Sequence, residues 1–297
     1  MVTGRNSETE VMARPREFCF TEHDFEQVRS LLHERAGISL SENKRELVYS
    51  RLTRRLRATG AKSFEDYLKN FLRGGDSEWE GFINALTTNL TSFFRENHHF
   101  ELLAQQLQDL ASRSRSPIRL WCSACSTGEE PYSMAMTVLE TLGPDPPVLI
   151  QATDINTHVL AQAEEGAYAA ENLTLSERRL HRFFHKGVGK HSGSVRIRPE
   201  VRRLVTFFQL NLLDAHWPIH SHLNAIFCRN VMIYFDKNTQ YQIFGEMARH
   251  LDPEGLLYAG HSEIFHHARD FFHLRGKTVY QLSARKTTGM TNQVEQR

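Results

Sequence analysis

The residues best placed to do chemistry lie in the run Ile118–Ser133, I-R-L-W-C-S-A-C-S-T-G-E-E-P-Y-S. Ile118, Leu120 and Trp121 read as a buried strand, and Ser123, Ala124, Ser126, Thr127 and Gly128 as a turn of small residues. Pro131 suits the first turn of a helix that continues through Met134, Ala135 and Val138. In doubly wound sheets such a strand-loop-helix lies outside the carboxyl end of a central strand, where small residues let a ligand approach the backbone. Only Gly128 stands where a dinucleotide fingerprint needs three glycines, and Glu129 and Glu130 would repel a pyrophosphate. A ligand with a cationic amino-acid end suits these acids better, and S-adenosylmethionine carries a sulfonium, an ammonium and a ribose.

Other polar residues fall where later strands should end. Val148, Leu149 and Ile150 lead a strand to Ala152-Thr153-Asp154, and an acid there is placed to accept both ribose hydroxyls. Capping the next helix is the plainer role for such an aspartate. Val205–Leu210 ends in Asn211, and Ala225–Cys228 runs into Arg229, Asn230 and Tyr234. Glu129, Asp154, Asn211, Asn230 and Tyr234 thus gather at strand ends, as groups around one nucleoside would.

The elements that position them form an α/β alternation preceded by helices. Thr21 is a candidate N-cap for a helix with Phe25, Val28, Leu31 and Leu32 inward and Gly37 as its stop. A second helix spans about Ser41–Thr59 on the stripe Val48, Leu52 and Leu56, a third opens at Ser63 and closes at Gly74-Gly75, and a fourth holds Trp79, Phe82, Ile83 and Leu86. A further helix lies near His98–Ala111 and another at about Thr239–His250, and Leu256–Ala259 and Val279–Leu282 finish the sheet, antiparallel at the end. Residues 176–205 break the rhythm: Gly187, Gly189 and Gly193 precede the alternating Val195 and Ile197, which reads as an antiparallel excursion able to capture an extended peptide by strand addition. The expected organisation is a flexible arm over 1–16, a helical domain over 17–88, a linker or lid over 89–96, an α/β domain over 97–284 and a tail over 285–297.

The second helix concentrates charge, with six basic residues against one acid, Glu46, between Lys44 and Arg57. Opposing acids at i, i+4 spacing are nearly missing, so an acidic helix or a phosphate backbone is a candidate partner beside the simpler reading of a solvated face. In residues 89–96, N-L-T-S-F-F-R-E, polar Asn89, Thr91, Ser92 and Arg95 alternate with Leu90, Phe93 and Phe94, as either a linker whose aromatics dock two domains or a lid over the cleft.

A net charge of +1 gives no global argument for nucleic acid or membrane. No apolar run reaches membrane-spanning length and the N-terminus lacks a signal-peptide pattern, so a cytoplasmic protein is expected. The C-x-x-C of Cys122 and Cys125 lacks the second pair that zinc wants and the context that a redox pair wants, so it reads as packing and no metal is expected.

The segments L-T-T-N-L-T-S-F-F-R-E, W-C-S-A-C-S-T-G-E-E-P-Y-S-M-A, A-T-D-I-N, F-C-R-N-V-M-I-Y-F and A-G-H-S-E, over about residues 17–284, resemble the chemotaxis-receptor glutamate O-methyltransferases, the CheR family. The resemblance implies an α/β fold: an N-terminal all-helical domain, then a class I, Rossmann-like methyltransferase with a doubly wound, mostly parallel sheet and a small β-subdomain insert. It implies methyl transfer from S-adenosylmethionine to glutamates on the cytoplasmic helices of chemoreceptors, leaving S-adenosylhomocysteine. Carried over by motif, Asn89, Thr91 and Arg95 close over the cofactor, Glu129 faces its ammonium and Asp154 its ribose, Asn211 and Leu212 meet the adenine end, and Arg229 and Asn230 line the cleft floor near Tyr234. It also assigns Arg51, Arg54 and Arg55 to docking on the receptor, and the insert around Gly187–Gly193 to a receptor C-terminal pentapeptide. The Cys122/Cys125 pair departs from the small residues expected in that loop.

The chemistry asks little of the protein. A glutamate carboxylate, with a pKa of about 4.3, is already the nucleophile at neutral pH, and a partly dry cleft favours a step that cancels two charges. Arg95 and Tyr234 are therefore expected to orient reactants and not to shuttle protons. Two alternatives are a nucleic-acid methyltransferase using the Arg-rich helix, against which N-V-M-I-Y-F lacks the Asn-Pro-Pro-Tyr type of motif, and a non-catalytic receptor-binding adaptor, against which Arg95, Glu129 and Asp154 are intact. Nothing in the pattern requires a dimer, so a monomer is expected.

Overall fold

The computed structural model describes residues 16–71, 75–113 and 116–283. Of the expected arm only Arg16 is described, and the expected tail and Gly74 lie outside the described residues.

Helix α1 (Glu22–Ala36) starts where its capping residues dictate. Thr21 accepts from the Asp24 N–H at 3.1 Å while the Asp24 carboxylate accepts from the Thr21 N–H at 2.8 Å, and Gly37 at φ 67° takes the left-handed turn that ends the helix. A 3-10 turn, Glu42–Lys44, precedes α2 (Arg45–Thr59), so the second helix begins later than Ser41. One turn, α3 (Phe64–Asp66), capped by Ser63, continues into a π turn at Tyr67–Phe71, and α4 (Asp76–Leu86) completes the bundle. Phe25, Val28, Leu32, Leu52, Leu56, Phe64 and Phe82 pack into one buried cluster of their own. Truncating such a residue, as in Leu52→Ala, costs about 2–5 kcal/mol.

The α/β part opens with α5 (His98–Arg113), β1 (Ile118–Cys122), α6 (Glu129–Leu142), β2 (Val148–Asp154) and α7 (Thr157–Glu165). It continues through β3 (Ala167–Ala169), α8 (Glu177–Phe183), β4 (Phe184–Lys186), β5 (Ser194–Ile197), α9 (Pro199–Arg202), β6 (Val205–Gln209) and β7 (Leu223–Cys228). Helix α10 (Lys237–His250), β8 (Leu251–Ala259), β9 (Phe272–Gly276) and β10 (Val279–Leu282) end it. Seven strands form a sheet in the order β6-β2-β1-β7-β8-β10-β9, parallel except that β10 runs antiparallel to β8 and β9. Successive side chains fill opposite faces: Leu120 and Cys122 join one buried cluster and Trp121 the other, as Ala225 and Phe227 do against Ile226 and Cys228. A parallel sheet covered on both sides needs this continuous apolar run. The order reverses at β1, between β2 and β7, and the crevice outside the carboxyl ends of these strands is where such sheets bind ligands. No helix of the described residues is long and apolar enough to cross a membrane.

The small antiparallel sheet has the order β3-β5-β4 and takes in Ala167–Ala169, ahead of residue 176 where the excursion was expected to start. Strand β9 was not expected, although F-H-L-R alternates over four residues; it is the sheet's edge strand, and of its five residues only Phe272 is buried.

The bundle meets the sheet through a few defined contacts. Ile38 and Phe235 form an antiparallel bridge, Ser39 N–H donates to the Tyr234 carbonyl at 2.7 Å, and the Asn211 side chain donates to the Arg35 carbonyl at 2.7 Å.

Candidate active site

These contacts enclose a cavity of about 500 Å³ between bundle and sheet, inside the ~300–1,000 Å³ span of small-molecule sites. Asn89, Thr91, Arg95, Asp154, Asn211, Leu212, Arg229, Asn230 and Tyr234 all line it. Glu129 does not; its neighbour Glu130 does.

Loop geometry explains the placement. Gly128, at φ 97°, starts α6, and a Cβ there would lie 2.9 Å from Ala163 Cβ and 3.0 Å from the Tyr168 hydroxyl, so only glycine fits. Asp154, buried at the end of β2, accepts from the Ser126 N–H and the Asn156 N–H at 2.9 Å each. It does not cap α7; Asn156 does, accepting from the His158 and Val159 N–H groups. Burial pushes the Asp154 carboxyl above its ordinary range, opposed by the N–H groups of Asn156, Ser126 and Ile155.

Glu129 accepts from Thr127 Oγ1 at 2.7 Å, and burial pushes its carboxyl up with no cation of the described residues paired to it. Glu130 instead faces Arg229, whose side chain is 0% exposed: Nη1 donates to Glu130 Oε2 at 2.6 Å, and Nη2 donates to the Arg95 carbonyl and lies 3.4 Å from Glu96 Oε2. Arg229 therefore ties residues 95–96 to the start of α6. Burial holds the thiols of Cys122 and Cys125 far up; both are free and fully buried, and Cys122 Sγ donates to Glu130 Oε1 at 3.2 Å.

The aromatics of segment 89–96 pack on the α/β part and not on the helical bundle. Phe93 packs edge-on against Tyr168 and Phe184, and Phe94 against Phe100, while Asn89, Leu90, Thr91 and Arg95 line the cavity. Arg95 Nη1 donates to the Leu90 carbonyl at 3.0 Å.

The Tyr234 carbonyl accepts from the Ser39 N–H, and the residue lines the cavity. Asn230 holds φ 58°, and the loop around it is clamped by the buried carboxylate of Glu263, which accepts from the N–H groups of Asn230 (2.9 Å), Met232 (2.8 Å) and Gly260 (2.6 Å). Sequence reasoning passed over Glu263, although it ends the A-G-H-S-E segment. It took Lys44 only as part of the basic face of the second helix and passed over Ile38; both bring the bundle into the cavity wall.

Of the three α2 arginines expected to dock, Arg51 Nη1 caps α4, donating to the carbonyls of Ala85, Leu86 and Thr87 at 3.3, 3.1 and 2.7 Å. Arg55 pairs with Glu78 at 2.6 Å. Arg54 is exposed and has no polar partner among the described residues. In the insert, a Cβ on Gly187 would stand 2.0 Å from the His191 carbonyl, and Gly193 sits at φ 85°.

Family models for the CheR methyltransferase all-alpha domain and the CheR methyltransferase SAM binding domain match residues 23–87 and 89–281. The chain belongs to the CheR methyltransferase family. It is 52% identical over 266 residues to the Chemotaxis protein methyltransferase 2 of Pseudomonas aeruginosa, covering 89% of this chain and 94% of that relative. It is 49% identical over 263 residues to the Chemotaxis protein methyltransferase of Escherichia coli K12, covering 87% and 90%. This CheR family member is an S-adenosylmethionine-dependent methyltransferase of chemotaxis. Its cavity fits that cofactor: Asp154, buried in the lining, is a carboxylate that no cation of the described residues neutralises, and a ligand with ribose hydroxyls supplies the donors it lacks.

Proposed function

We propose that the chain forms glutamate methyl esters on the cytoplasmic helices of methyl-accepting chemoreceptors, acting in the cytoplasm as a monomer. The observation that carries this reading is the polarity of the cavity. Its lining holds the buried Asp154 and Glu130, the latter paired with Arg229, and also Lys44 and Arg95, neither paired with a carboxylate among the described residues. An incoming carboxylate suits these two cations, as the cofactor's cationic end suits the acids.

In this reading Asp154 accepts the ribose hydroxyls, Glu130 in the cavity lining presents acid to the ammonium with Glu129 beside it in the chain but outside that lining, Asn211 and Leu212 meet the adenine, and Asn89 and Thr91 close the cleft. S-adenosylmethionine, bound there, supplies an electrophilic methyl on a sulfonium. Lys44 and Arg95 hold the acceptor carboxylate, which needs no base because it is ionised at neutral pH. Tyr234 and Asn230 fix its approach, and positioning of this kind is worth on the order of 7–11 kcal/mol in intramolecular analogues. The ring of Phe93, seated on Tyr168 and Phe184, keeps the 89–96 segment over the cleft and water out.

Docking rests on Arg54 and on the exposed Lys44, with Arg51 and Arg55 shaping the face that carries them. Strands β3 and β4 are the edges of the three-stranded sheet, and an extended receptor tail adds to such an edge beside Gly187, Gly189 and Gly193. The nucleic-acid alternative loses support because Arg51, Arg55 and Arg57 are already paired within the chain.

The test is transfer from methyl-labelled cofactor to receptor-containing membranes, followed by mild alkali. Release of the label as volatile methanol is expected of an ester. Label that survives alkali, or that appears on nucleic acid, would overturn the glutamate assignment.

A further inference from the structure

Next to the cavity wall, Glu96 and the first two residues of α5, His98 and His99, bring one ligand atom each within 4.8 Å of one another. His99 is 0% exposed. Its Nε2 lies 3.0 Å from the Lys277 carbonyl and 3.1 Å from Thr278 Oγ1. A carbonyl only accepts, so Nε2 carries the proton and Nδ1 presents a bare lone pair. Among the described residues that lone pair meets no donor. It faces Glu96 Oε2 at 3.7 Å, a buried acceptor that makes no hydrogen bond and has the Arg229 guanidinium 3.4 Å away on its other side. Two acceptors facing across a dry gap are unfavourable unless an electropositive group lies between them.

We propose that Glu96, His98 and His99 form a binding site for a divalent transition-metal ion of the zinc type, held by one carboxylate oxygen and two imidazole nitrogens. Tetrahedral ligand atoms each about 2.1 Å from an ion lie about 3.4 Å from each other, so the 3.7 Å between His99 Nδ1 and Glu96 Oε2 closes by a few tenths of an ångström on binding, and the exposed side of the His98 ring turns in to complete the set. The second sphere fits too, because a metal-binding imidazole commonly donates its other N–H to a carbonyl, as His99 does to Lys277, which fixes the tautomer and the ring. Two imidazoles and one carboxylate suit zinc, cobalt or nickel better than magnesium or calcium, which take oxygen ligands.

Charge decides whether a cation is tolerated next to Arg229. That guanidinium lies 3.4 Å from Glu96 Oε2, but it also pairs with Glu130 at 2.6 Å. Two carboxylates against one guanidinium leave the cluster with one net negative charge before an ion arrives. His98, half-buried, gives the ion a route from solvent. An ion there draws Glu96 away from Arg229, which lines the cavity and ties down residues 95–96. Metal and cofactor then oppose each other, each weakening the other by the same factor. This coupling rests on the cofactor reading; the metal site does not.

The test uses the full chain, stripped with a chelator, titrated with cobalt(II) by visible absorption and with zinc by calorimetry. Saturation at one ion per chain is expected, with cobalt displaced by zinc. His98→Ala should weaken zinc about tenfold or more without moving the unfolding midpoint, and His98→Gln, which keeps more of the side chain, should do the same. No saturable binding up to about 100 μM, or unchanged affinity in both variants, overturns the site; unchanged affinity would assign the ion to other histidines. If S-adenosylhomocysteine fails to bind while zinc still does, the cofactor reading falls and the metal site stands.

Discussion

Replacing Arg229 with methionine should be among the most damaging single changes near the cavity. Its side chain is 0% exposed, and it neutralises Glu130 at 2.6 Å and Glu96 at 3.4 Å, whose side chains are 12% and 14% exposed. Burial raises the Glu96 carboxyl and Arg229 pulls it down, the net being a carboxyl held below its ordinary range. Arg229→Met strands two like charges in a poorly solvated place and cuts the tie to the Arg95 carbonyl. Removing one partner of a buried pair costs about 3–5 kcal/mol. At about 2–4 °C per kcal/mol for a chain of this class, the melting temperature should fall by roughly 6 to 20 °C. Differential scanning calorimetry with urea unfolding reads the loss. Glu130→Met in the same background should restore part of it, because one stranded carboxylate is gone, whereas Glu130→Met alone strands only the arginine, which keeps Glu96. A loss below about 1 kcal/mol for Arg229→Met, or a double variant as unstable as the single one, would refute the reasoning.

Three further outcomes follow from individual contacts. Tyr234→Phe should lower kcat by about 10- to 100-fold through misplacement, with the pH profile unshifted; a newly shifted profile in steady-state assays would make Tyr234 a proton shuttle. Gly187→Ala forces a Cβ to within 2.0 Å of the His191 carbonyl, so the small sheet should open, measured as faster amide exchange over 184–197 and loss of receptor-tail binding in a pull-down with S-adenosylhomocysteine affinity retained. The N–H of Thr239 and then the His33 side chain pull the Asp236 carboxyl down to about 2, so its contribution to stability is full above about pH 4 and fades as pH falls from there toward 2. Asp236→Ala should cost about 1 kcal/mol at neutral pH and flatten that acid limb in urea unfolding, because the cap of α10 goes with it.

Much of the architecture was legible because local physics fixes it. Thr21 and Gly37 bound α1 by capping chemistry, and the stripe Val48, Leu52 and Leu56 buried as its spacing demands. Asp154 was legible as a strand-end acid; that Asn156 takes the capping role was not, since both residues are good caps two positions apart. Contacts between distant segments were invisible. Lys44 and Ile38 reach the cavity across nearly two hundred residues of chain from Tyr234 and Phe235. The search for acids within α2 missed that Glu78 and Glu17 supply the partners of Arg55 and Arg57 from other segments. The pair Glu129-Glu130 shows the limit of a motif: adjacent positions on a helix start point in different directions, and only Glu130 reaches the cavity wall.

The measurement that bears most directly on the cofactor site is calorimetric titration of the chain with S-adenosylhomocysteine, repeated with Asp154→Ala. One-site binding in the wild type, weakened about tenfold or more in the variant, is the result that follows from a buried ribose-binding carboxylate. No heat of binding in the wild type, or equal affinity in Asp154→Ala, would contradict it.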